Sequence, residues 1–587
     1  MSAQTPMFQF HLVSINCRFS HSCLALFYVR NALEQHLHLP EQSLRLSQFT
    51  INDPYYATLL RISRETTQAV FFSVYIWNHA FIRRLINDLA QLRPDLALVL
   101  GGPQALALSE LSGSSELPEL PQLPELPKQC TLFLGEIEGA PEAFYQDLKQ
   151  GCLQPIYRAK RPSSFPSPYR EEDFTGALKN RQLYYESSRG CPFSCAYCLS
   201  SESQGVRHKP VDLVKRELTA LLAAQPMIIK LVDRTFNDHP ERAVTIWQFL
   251  LDQFQHAPPA EQVRFHFEVA PDRFTEPMFD LLATVPCDQF QFEVGIQSFH
   301  PQTLAAVHRK MDLEATCRNI ERLLALDTLH IHVDLIVGLP FETEQSFRNS
   351  FNQVFRLEPH YIQLGLLKVL PETAIFRQAK EFGLIFCSEP PYEILATRWL
   401  DHQQLANLYA LCECTESFYN NRFFRSLWQY LVQTKEEPFA FFSELLQCCR
   451  QYNFFQLSRT HKLMTQILTE LVQKRPDREL LLDLLRYDWL RCGHRSLPEY
   501  LTTTSQTELR NRLRISLPQN IEGLFTYQTR VEFLKQASFV ELSGEAMEFL
   551  GFPGDNTGNG LIALLPEQTG GVMKFNRAVR LLGLETK

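Results

Sequence analysis

The sequence predicts an α/β protein in several units. An N-terminal doubly wound domain is followed by a central open barrel of six β/α units and a mainly helical C-terminal region. Three observations predict this. Strand-like and helix-like segments alternate from residue 8 to about 158; six more strand-like segments separated by helical patterns run from 181 to 383; and the pattern from 384 to about 515 is almost wholly helical. Alternating β and α segments build parallel sheets covered by helices. At 587 residues the chain is long enough for three or four domains.

In the first unit, residues 1–158, the strand candidates are "FQFHLV", "SLRLSQFT", "AVFFSVY", "LALVLGG" and "CTLFLGE". Helical patterns such as "SCLALFYVRNALEQH" and "AFIRRLINDLAQL" lie between them. The expectation is a Rossmann- or flavodoxin-like sheet. The insert "ELPELPQLPELP" at 116–127 reads as an extended, polyproline-like surface loop with a spacer role. Residues 159–180 are polar and Pro-rich and read as a linker.

The second unit, residues 181–383, has the strand candidates "QLYYESSRG", "MIIKLVDRTF", "VRFHFEVAP", "QFQFEVGIQS", "HIHVDLIVGLP" and "YIQLGLLKVLP", with helical patterns including 211–224, 312–326 and 343–357. Strands of a parallel sheet buried on both faces read as continuous apolar runs; these alternate instead. Gln289, Gln291, Glu293 and Gln297 oppose Phe290, Phe292, Val294 and Ile296; Arg264, His266 and Glu268 oppose Phe265, Phe267 and Val269; His330, His332 and Asp334 oppose Ile331, Val333 and Leu335. Period-two alternation puts the two sets on opposite faces. The apolar face must pack on crossover helices, and the polar face must line a cavity where buried charges find partners. A partial barrel around a polar ligand satisfies both.

Residues 384–587 form the C-terminal region, helical to about 515 and mixed from 516. Its Gly-rich loop, "GFPGDNTGNG" at 551–560, lacks the G-K-[ST] of a phosphate-binding loop and reads as a surface turn. The net charge of -8 argues against a nucleic-acid partner held by bulk electrostatics, though not against a local basic groove. The N-terminus has no basic stretch followed by a long apolar core, so no signal peptide is expected. No apolar run reaches spanning length, so no membrane partner is expected either. Fifteen cysteines without a secretory signal point to a reducing cytoplasm. Most, including Cys412, Cys414, Cys448 and Cys449 in helix-like sequence, read as buried small hydrophobes.

Three cysteines differ. In "SRGCPFSCAYCLSS" Cys191, Cys195 and Cys198 are spaced C-x3-C-x2-C, with Tyr197 before the third. Gly190 and Pro192 place them on a tight loop rather than in a helix. Thiolates this dense in an intracellular protein bind metal. An iron–sulfur cube takes four ligands, so three cysteines leave one iron open, as catalytic metal sites require. Zinc with a distant fourth ligand is the alternative, but zinc knuckles use two C-x2-C pairs and no second pair is present.

The triplet resembles the cluster motif of the radical S-adenosylmethionine (SAM) superfamily, and the six β/α units over 181–383 resemble that family's partial barrel. The resemblance implies a 4Fe-4S cluster on Cys191, Cys195 and Cys198, which are the catalytic and metal-ligating candidates, and SAM bound through the open iron. It further implies Asp233 of "LVDRTFN" at the methionine end of SAM, Glu268 of "FEVAPD" on the ribose side, Glu293 and Gln297 of "FEVGIQSF", and Asp334, Ile336 and Gly338 of "VDLIVGLPFET" near the adenine, with Tyr197 beside the cluster. For each carboxylate the alternative is a structural partner for a nearby Arg, Lys or amide.

Residues 1–158 resemble the cobalamin-binding domain that precedes the barrel in one branch of the superfamily, and "SINCRFSHSCLALFYVRNAL" resembles the opening of a subgroup with an uncharacterised C-terminal region. The likeness rests on Gly101, Gly102 and Pro103 of "LVLGGPQ" and on Gly135, Glu136 and Glu138 of "LFLGEIEGAPEAF". The motif D-x-H-x-x-G, whose histidine ligates cobalt, is absent from 1–158. Cobalamin therefore binds without a protein histidine, or the domain keeps only the fold. His21 in the first loop reads as a structural hydrogen-bonding residue.

The activity implied is reductive SAM cleavage to a 5′-deoxyadenosyl radical and, with cobalamin, methyl transfer to an unreactive centre. Cobalamin-independent radical rearrangement or modification of a small molecule, tRNA or peptide is the alternative; a non-catalytic iron–sulfur or binding protein is another. A methylthiotransferase needs a second three-cysteine cluster, which Cys17, Cys23, Cys130 and Cys152 do not form. The reaction implies an electron donor such as flavodoxin or ferredoxin. Arg309 and Lys310, after the fourth strand, either reach the cavity or, more simply, end a helix at the surface.

Overall fold

The computed structural model describes residues 9–40, 43–65, 67–108, 126–202, 205–254, 263–517, 529–552 and 559–581. Residues 116–125 of the Pro-rich insert and 553–558 of the Gly-rich loop lie outside them.

The first sheet has six strands: β1 Phe10–Asn16, β2 Leu44–Thr50, β3 Ala69–Ser73, β4 Ala97–Gly101, β5 Cys130–Leu134 and β6 Ile156–Arg158. Their order is β2-β1-β3-β4-β5-β6, all parallel. The alternation of β3 and β4 explains the double winding. Val70, Phe72, Leu98 and Leu100 pack on Ile82, Leu85 and Leu89 of helix His79–Leu92. Phe71, Val99 and Phe133 face the other way, onto Leu26 and Leu33 of helix Leu24–Leu37 and Phe144 of helix Glu142–Gln150. Both faces are thus covered, as in doubly wound folds. β6 is not among the strand candidates of the sequence, since three residues are too few to show a period.

The segment read as a linker is anchored to the first domain. It carries a short helix, Glu171–Thr175, whose Asp173 carboxylate accepts from Arg30 Nη1 and Nη2 at 2.5 and 2.8 Å, both side chains buried. An ion pair that is buried on both sides holds the segment down.

The second sheet runs β7 Leu183–Tyr185, β8 Ile228–Leu231, β9 Arg264–Val269, β10 Phe290–Gln297, β11 His330–Val337 and β12 Tyr361–Leu366. Neighbours in sequence are neighbours in space, all parallel, and β7 and β12 remain edges, so the barrel is open. Phe265, Phe267, Phe290, Phe292, Val294, Ile331 and Val333 are fully buried on the outer face with Trp247 and Phe351 of the covering helices. The polar residues of the same strands point inward, as their alternation requires. Helices Val211–Ala223, Leu313–Ala325 and Glu344–Arg356 fall where the pattern placed them.

The C-terminal region opens on a two-stranded antiparallel ribbon, Ile385–Phe386 with Ile394–Ala396, and continues with helices His402–Phe418, Arg425–Gln433, Pro438–Gln451, His461–Gln473, Arg478–Arg491 and Gln506–Ser516. They pack directly on the barrel: Phe351 and Phe355 of helix Glu344–Arg356 meet Phe442 at ring separations of 5.5 and 5.7 Å. Cys412, Cys414, Cys448 and Cys449 are buried in this core. A three-stranded antiparallel sheet, Ser538–Leu542, Gly560–Gln568 and Asn576–Arg580, ends the described chain. No helix among the described residues is long and apolar enough to cross a membrane.

Candidate active site

The cysteine loop leaves the C-terminal end of β7, the end at which barrel sites are built. Ser188 and Arg189 pair antiparallel with His208 and Arg207, so the loop is closed at its base by a short ladder. Gly190, with φ +101°, turns the chain immediately after it. The loop is fixed from two sides: Ala196 N donates to Val307 O at 2.9 Å, and Ile375 N donates to Ala196 O at 2.8 Å. Cys191 Sγ lies 3.7 Å from Thr235 Oγ1, and Arg309 Nη1 lies 3.5 Å from the buried Cys195 Sγ. Tyr197 packs beside Cys195 and Arg309, and burial pushes its phenol up. All fifteen cysteines are free thiols. Among the described residues no three His, Cys, Asp or Glu side chains converge to hold one metal ion. Three separate thiols on one loop suit a multi-iron cluster, each thiolate taking its own iron, better than a single zinc.

Arg309 corrects the simpler reading of that residue as an exposed helix end. Its guanidinium is drawn inward by Cys195 Sγ and by the Gly295 carbonyl. At Gly295 the inward face carries no side chain, and the amide end of the Gln297 side chain lies over it. A register shift between Gly295 and Gln297 breaks the ladder at this point, and Gln297 adopts φ +75°. Bulges of this kind re-aim side chains beside active sites.

Asp233 is 2% exposed. It accepts from Ser187 N at 2.9 Å and from Ser187 Oγ and Ser188 Oγ, both at 2.6 Å. These bonds tie the end of β8 to the base of the cysteine loop. Its neighbour Arg234 points into the barrel instead, with Nη1 3.7 Å from Glu268 Oε1.

The inward faces of β9, β10 and β11 bring Glu268, Glu293 and Asp334 together. Glu268 is in register with Glu293, and Glu293 with His332, while Asp334 sits one step higher opposite Gly295. His266 Nε2 lies 3.1 Å from Glu293 Oε2 and holds that carboxyl below its usual range. Burial raises Glu268 to about 7 against the pull of Arg234. Burial, with Glu293 and Glu268 beside it, raises Asp334 well above the usual carboxylate range. Asp334 Oδ1 is buried and has no partner within the chain. Protons and carboxylates are thus shared in a low-dielectric pocket that is polar enough to hold amino and hydroxyl groups.

Half-buried Ile336 is the next inward residue of β11, and Gly338 follows with φ +88°, where a Cβ would meet Ile394 Cγ2 at 2.8 Å. The turn is held by Glu342, which the sequence reading passed over. Glu342 is fully buried and accepts from Gly338 N at 3.0 Å and Ser298 Oγ at 3.3 Å. Burial pushes its carboxyl from 4.5 up to about 8. The folded chain therefore keeps a proton that the unfolded chain releases. This contribution to stability is full below about pH 4.5 and is lost as pH rises to about 8, at up to ~1.4 kcal/mol per pH unit. Between pH 6 and 9, Glu342→Gln is expected to gain about 2 kcal/mol on the wild type in urea denaturation. Parallel pH profiles for the two proteins would overturn this assignment.

A cavity of about 660 Å³ lies between the C-terminal edge of the first sheet and the mouth of the barrel. Its first wall carries Asn16, Tyr75, Gly101, Gly102, Pro103, Gly135 and Glu136; its second carries Tyr184, Glu186, Arg189, Gly190 and Arg234. β1 and β3, whose outer neighbours diverge, end at this cavity, the switch point at which open α/β sheets bind ligands. Gly102, with φ +98°, lets the rim turn, since a Cβ would meet Val74 O at 2.7 Å and Val74 N at 2.8 Å. Gly102→Ala is expected to destabilise the first domain by about 1–3 kcal/mol, measured as a lowered denaturation midpoint; an unchanged midpoint would sink the argument. His21, also on the lining, is hydrogen-bonded through Nδ1 to the Tyr184 hydroxyl, and burial lowers its pKa.

The two walls are joined by Arg189, which bonds to Glu136 at 2.5 Å, Glu138 at 2.9 Å and Glu186 at 2.8 Å. Arg189, Arg234 and Glu342 carry no sequence pattern that marks them. Only the packing of distant strands gives them their roles.

Comparison with known proteins agrees with this geometry. Residues 185–354 match the model described as the radical SAM superfamily, and residues 380–537 match a family described as a protein of unknown function, DUF4080. The 2-(S-pantetheinyl)-carbapenam-3-carboxylate methyltransferase of Streptantibioticus cattleyicolor is 23% identical over 50% of this chain and 47% of its own. The cobalamin-dependent radical SAM methyltransferase TokK of Streptomyces tokunonensis is 25% identical over 36% of this chain and 33% of its own. The tRNA-2-methylthio-N(6)-dimethylallyladenosine synthase of Psychrobacter cryohalolentis is 25% identical over 36% of this chain and 44% of its own. The chain thus spans less than half the length of each of these relatives. A solved structure of the cobalamin-dependent S-adenosylmethionine radical enzyme OxsB, with aqua-cobalamin and S-adenosylmethionine bound, shares the fold over 90% of this chain and 83% of its own, at 12% identity and a TM-score of 0.53. With its cysteine loop on the first strand of an open six-stranded barrel, the segment that the family's model matches, residues 185–354, is a radical SAM domain.

Proposed function

We propose that this protein is a radical SAM enzyme that works with cobalamin and transfers a methyl group to an unreactive centre. One observation carries the reading: the cavity at the ligand-binding edge of the first sheet opens directly onto the base of the cysteine loop, so two cofactors would face each other across it. When bound, a 4Fe-4S cluster with an open iron supplies the electron that cleaves SAM, and cobalamin supplies a transferable methyl group.

The chain's own residues bind and orient. Cys191, Cys195 and Cys198 provide three thiolates, and Arg309 donates to the Cys195 sulfur, a placement that tunes ligand charge. Glu268, Glu293 and Asp334 offer carboxyl oxygens to the amino and ribose hydroxyl groups of SAM, while Arg234 offers a cation to its carboxylate. Asp233 serves this site by fixing the loop base. Gly101, Gly102 and Gly135 let the rim approach a flat ligand closely, and Tyr75 stacked on Trp77 at 4.4 Å offers an apolar wall. His21, on the cavity lining, is held in place by the Tyr184 hydroxyl through Nδ1. We assign 1–158 to the cobalamin side, 159–180 to the connection, 181–383 to the SAM core and 384–587 to control of access. A reductant such as flavodoxin or ferredoxin, in the cytoplasm, completes the scheme.

The test is anaerobic. The protein is reconstituted with iron and sulfide, given hydroxocobalamin, and desalted; SAM and dithionite follow. A visible corrin spectrum retained on the protein, together with 5′-deoxyadenosine or S-adenosylhomocysteine by mass spectrometry, is expected. An intact cluster that yields neither nucleoside product would overturn the enzymatic reading, and loss of all corrin on desalting would overturn the cobalamin part.

A further inference from the structure

The ladder at the base of the cysteine loop has only two rungs, Ser188 with His208 and Arg189 with Arg207. Two rungs are too few for independent stability in water, and they enclose all three cluster thiols. Both arginines of the upper rung are met by a single side chain from the other domain. Glu136 Oε2 accepts from Arg189 Nη1 at 2.5 Å, and Glu136 Oε1 accepts from Arg207 Nη2. Glu136 thus bridges the two strands of the loop base from outside. It follows Gly135, φ +100°, at the end of β5, and its side chain lines the 660 Å³ cavity. Glu138, two residues on, reaches Arg189 alone. The Arg189 guanidinium is further held over the Tyr28 and Phe165 rings at 4.6 and 4.4 Å.

We propose that Glu136 is a positioning residue: it clips shut the base of the cysteine loop and couples occupation of the interdomain cavity to the state of that loop. The cavity half of the proposal rests on the cofactor reading above; the clip does not. Its physical basis is that one carboxylate serves two arginines on opposite strands, so any ligand that orders the Gly135–Glu136 rim also orders the rung. Linkage then requires the converse, that a closed loop favours the ligand. Charge-assisted bonds of this type are strong and directional. Arg207 would keep a bond to the Pro162 carbonyl at 2.5 Å and Arg189 its bonds to Glu138 and Glu186, so losing Glu136 uncouples the strands without leaving either guanidinium bare.

The test uses the full-length apoprotein and needs no turnover. Alkylation of Cys191, Cys195 and Cys198 by iodoacetamide is timed by peptide mass spectrometry, with and without hydroxocobalamin, for the wild type, Glu136→Gln and Glu138→Gln. The expected result is that hydroxocobalamin slows alkylation of the wild type about ten-fold, within the usual range of coupling between sites. Glu136→Gln should alkylate about ten-fold faster without ligand and gain no protection from it, while Glu138→Gln, which serves one strand only, stays near the wild type. Glu136→Asp, with a shorter reach, provides a second variant should the Gln protein fold poorly by circular dichroism; it should fall between the two. Wild-type alkylation rates in Glu136→Gln, or undiminished protection in that variant, would overturn the proposal. If hydroxocobalamin fails to bind the wild type at all, the cobalamin reading fails, while the ligand-free rates still decide whether the clip exists.

Discussion

Replacing Cys191, Cys195 and Cys198 together by alanine is expected to abolish iron binding after reconstitution and to reduce 5′-deoxyadenosine from SAM and dithionite to less than a hundredth. The reasoning is one of ligand number. A cube whose fourth iron must stay open has only these three protein ligands, and no other group of three His, Cys, Asp or Glu among the described residues is placed to take over. Outer-shell partners of metal sites alone command about 10–100-fold; removing the ligands themselves must exceed that. The loop backbone is held by Val307 and Ile375 through bonds that the substitutions leave intact, so the variant should retain its circular dichroism and its denaturation midpoint. Product formation by the triple variant at more than a tenth of the wild-type rate would disprove the assignment of these thiols.

The second large effect is one of stability. Asp233→Ala should destabilise the apoprotein by about 3–5 kcal/mol, because three donors lose their acceptor inside the protein at ~1–3 kcal/mol each. They are Ser187 N–H and the hydroxyls of Ser187 and Ser188. Burial already raises the Asp233 carboxyl, and those three bonds together with Arg242 oppose that rise. Asp233→Asn keeps one acceptor oxygen and should lose roughly half as much. Urea denaturation without any cofactor is the deciding measurement. If Asp233→Ala unfolds at the wild-type midpoint and only SAM affinity falls, the residue is a ligand contact, as the family resemblance implied, and not the brace that its hydrogen bonds describe.

Asp233 also marks where reading the sequence stops. "LVDRTFN" placed an acidic residue at the correct end of β8, yet which of Asp233 and Arg234 faces the barrel depends on how the strand end meets Ser187 and Ser188, 45 residues earlier and more. The same holds for Arg309. A guanidinium after a strand reads as solvated, and only the bulge at Gly295 brings it onto Cys195. Glu342 sits in "GLPFET", where a carboxylate should be exposed; the fold buries it because Gly338 N and Ser298 Oγ need an acceptor there.

What the sequence determined by itself is local and periodic. The alternation of Phe265, Phe267, Phe290 and Phe292 with His266, Glu268, Gln291 and Glu293 fixes which face of each strand is wet, because side chains in a strand point alternately to opposite sides. The C-x3-C-x2-C spacing beside Gly190 determines that three thiols share one loop. The alternation of strand-like and helix-like segments over residues 8–158 determines a parallel sheet covered on both faces. The tertiary structure alone decided what is not local: the 660 Å³ cavity between two sheets, the anchoring of residues 159–180 by Arg30 and Asp173, and the meeting of Glu136 with Arg189 and Arg207. These ion pairs join residues 53 to 143 positions apart. No period in the chain encodes them, because their geometry follows from how whole sheets pack and not from the conformation of any one segment.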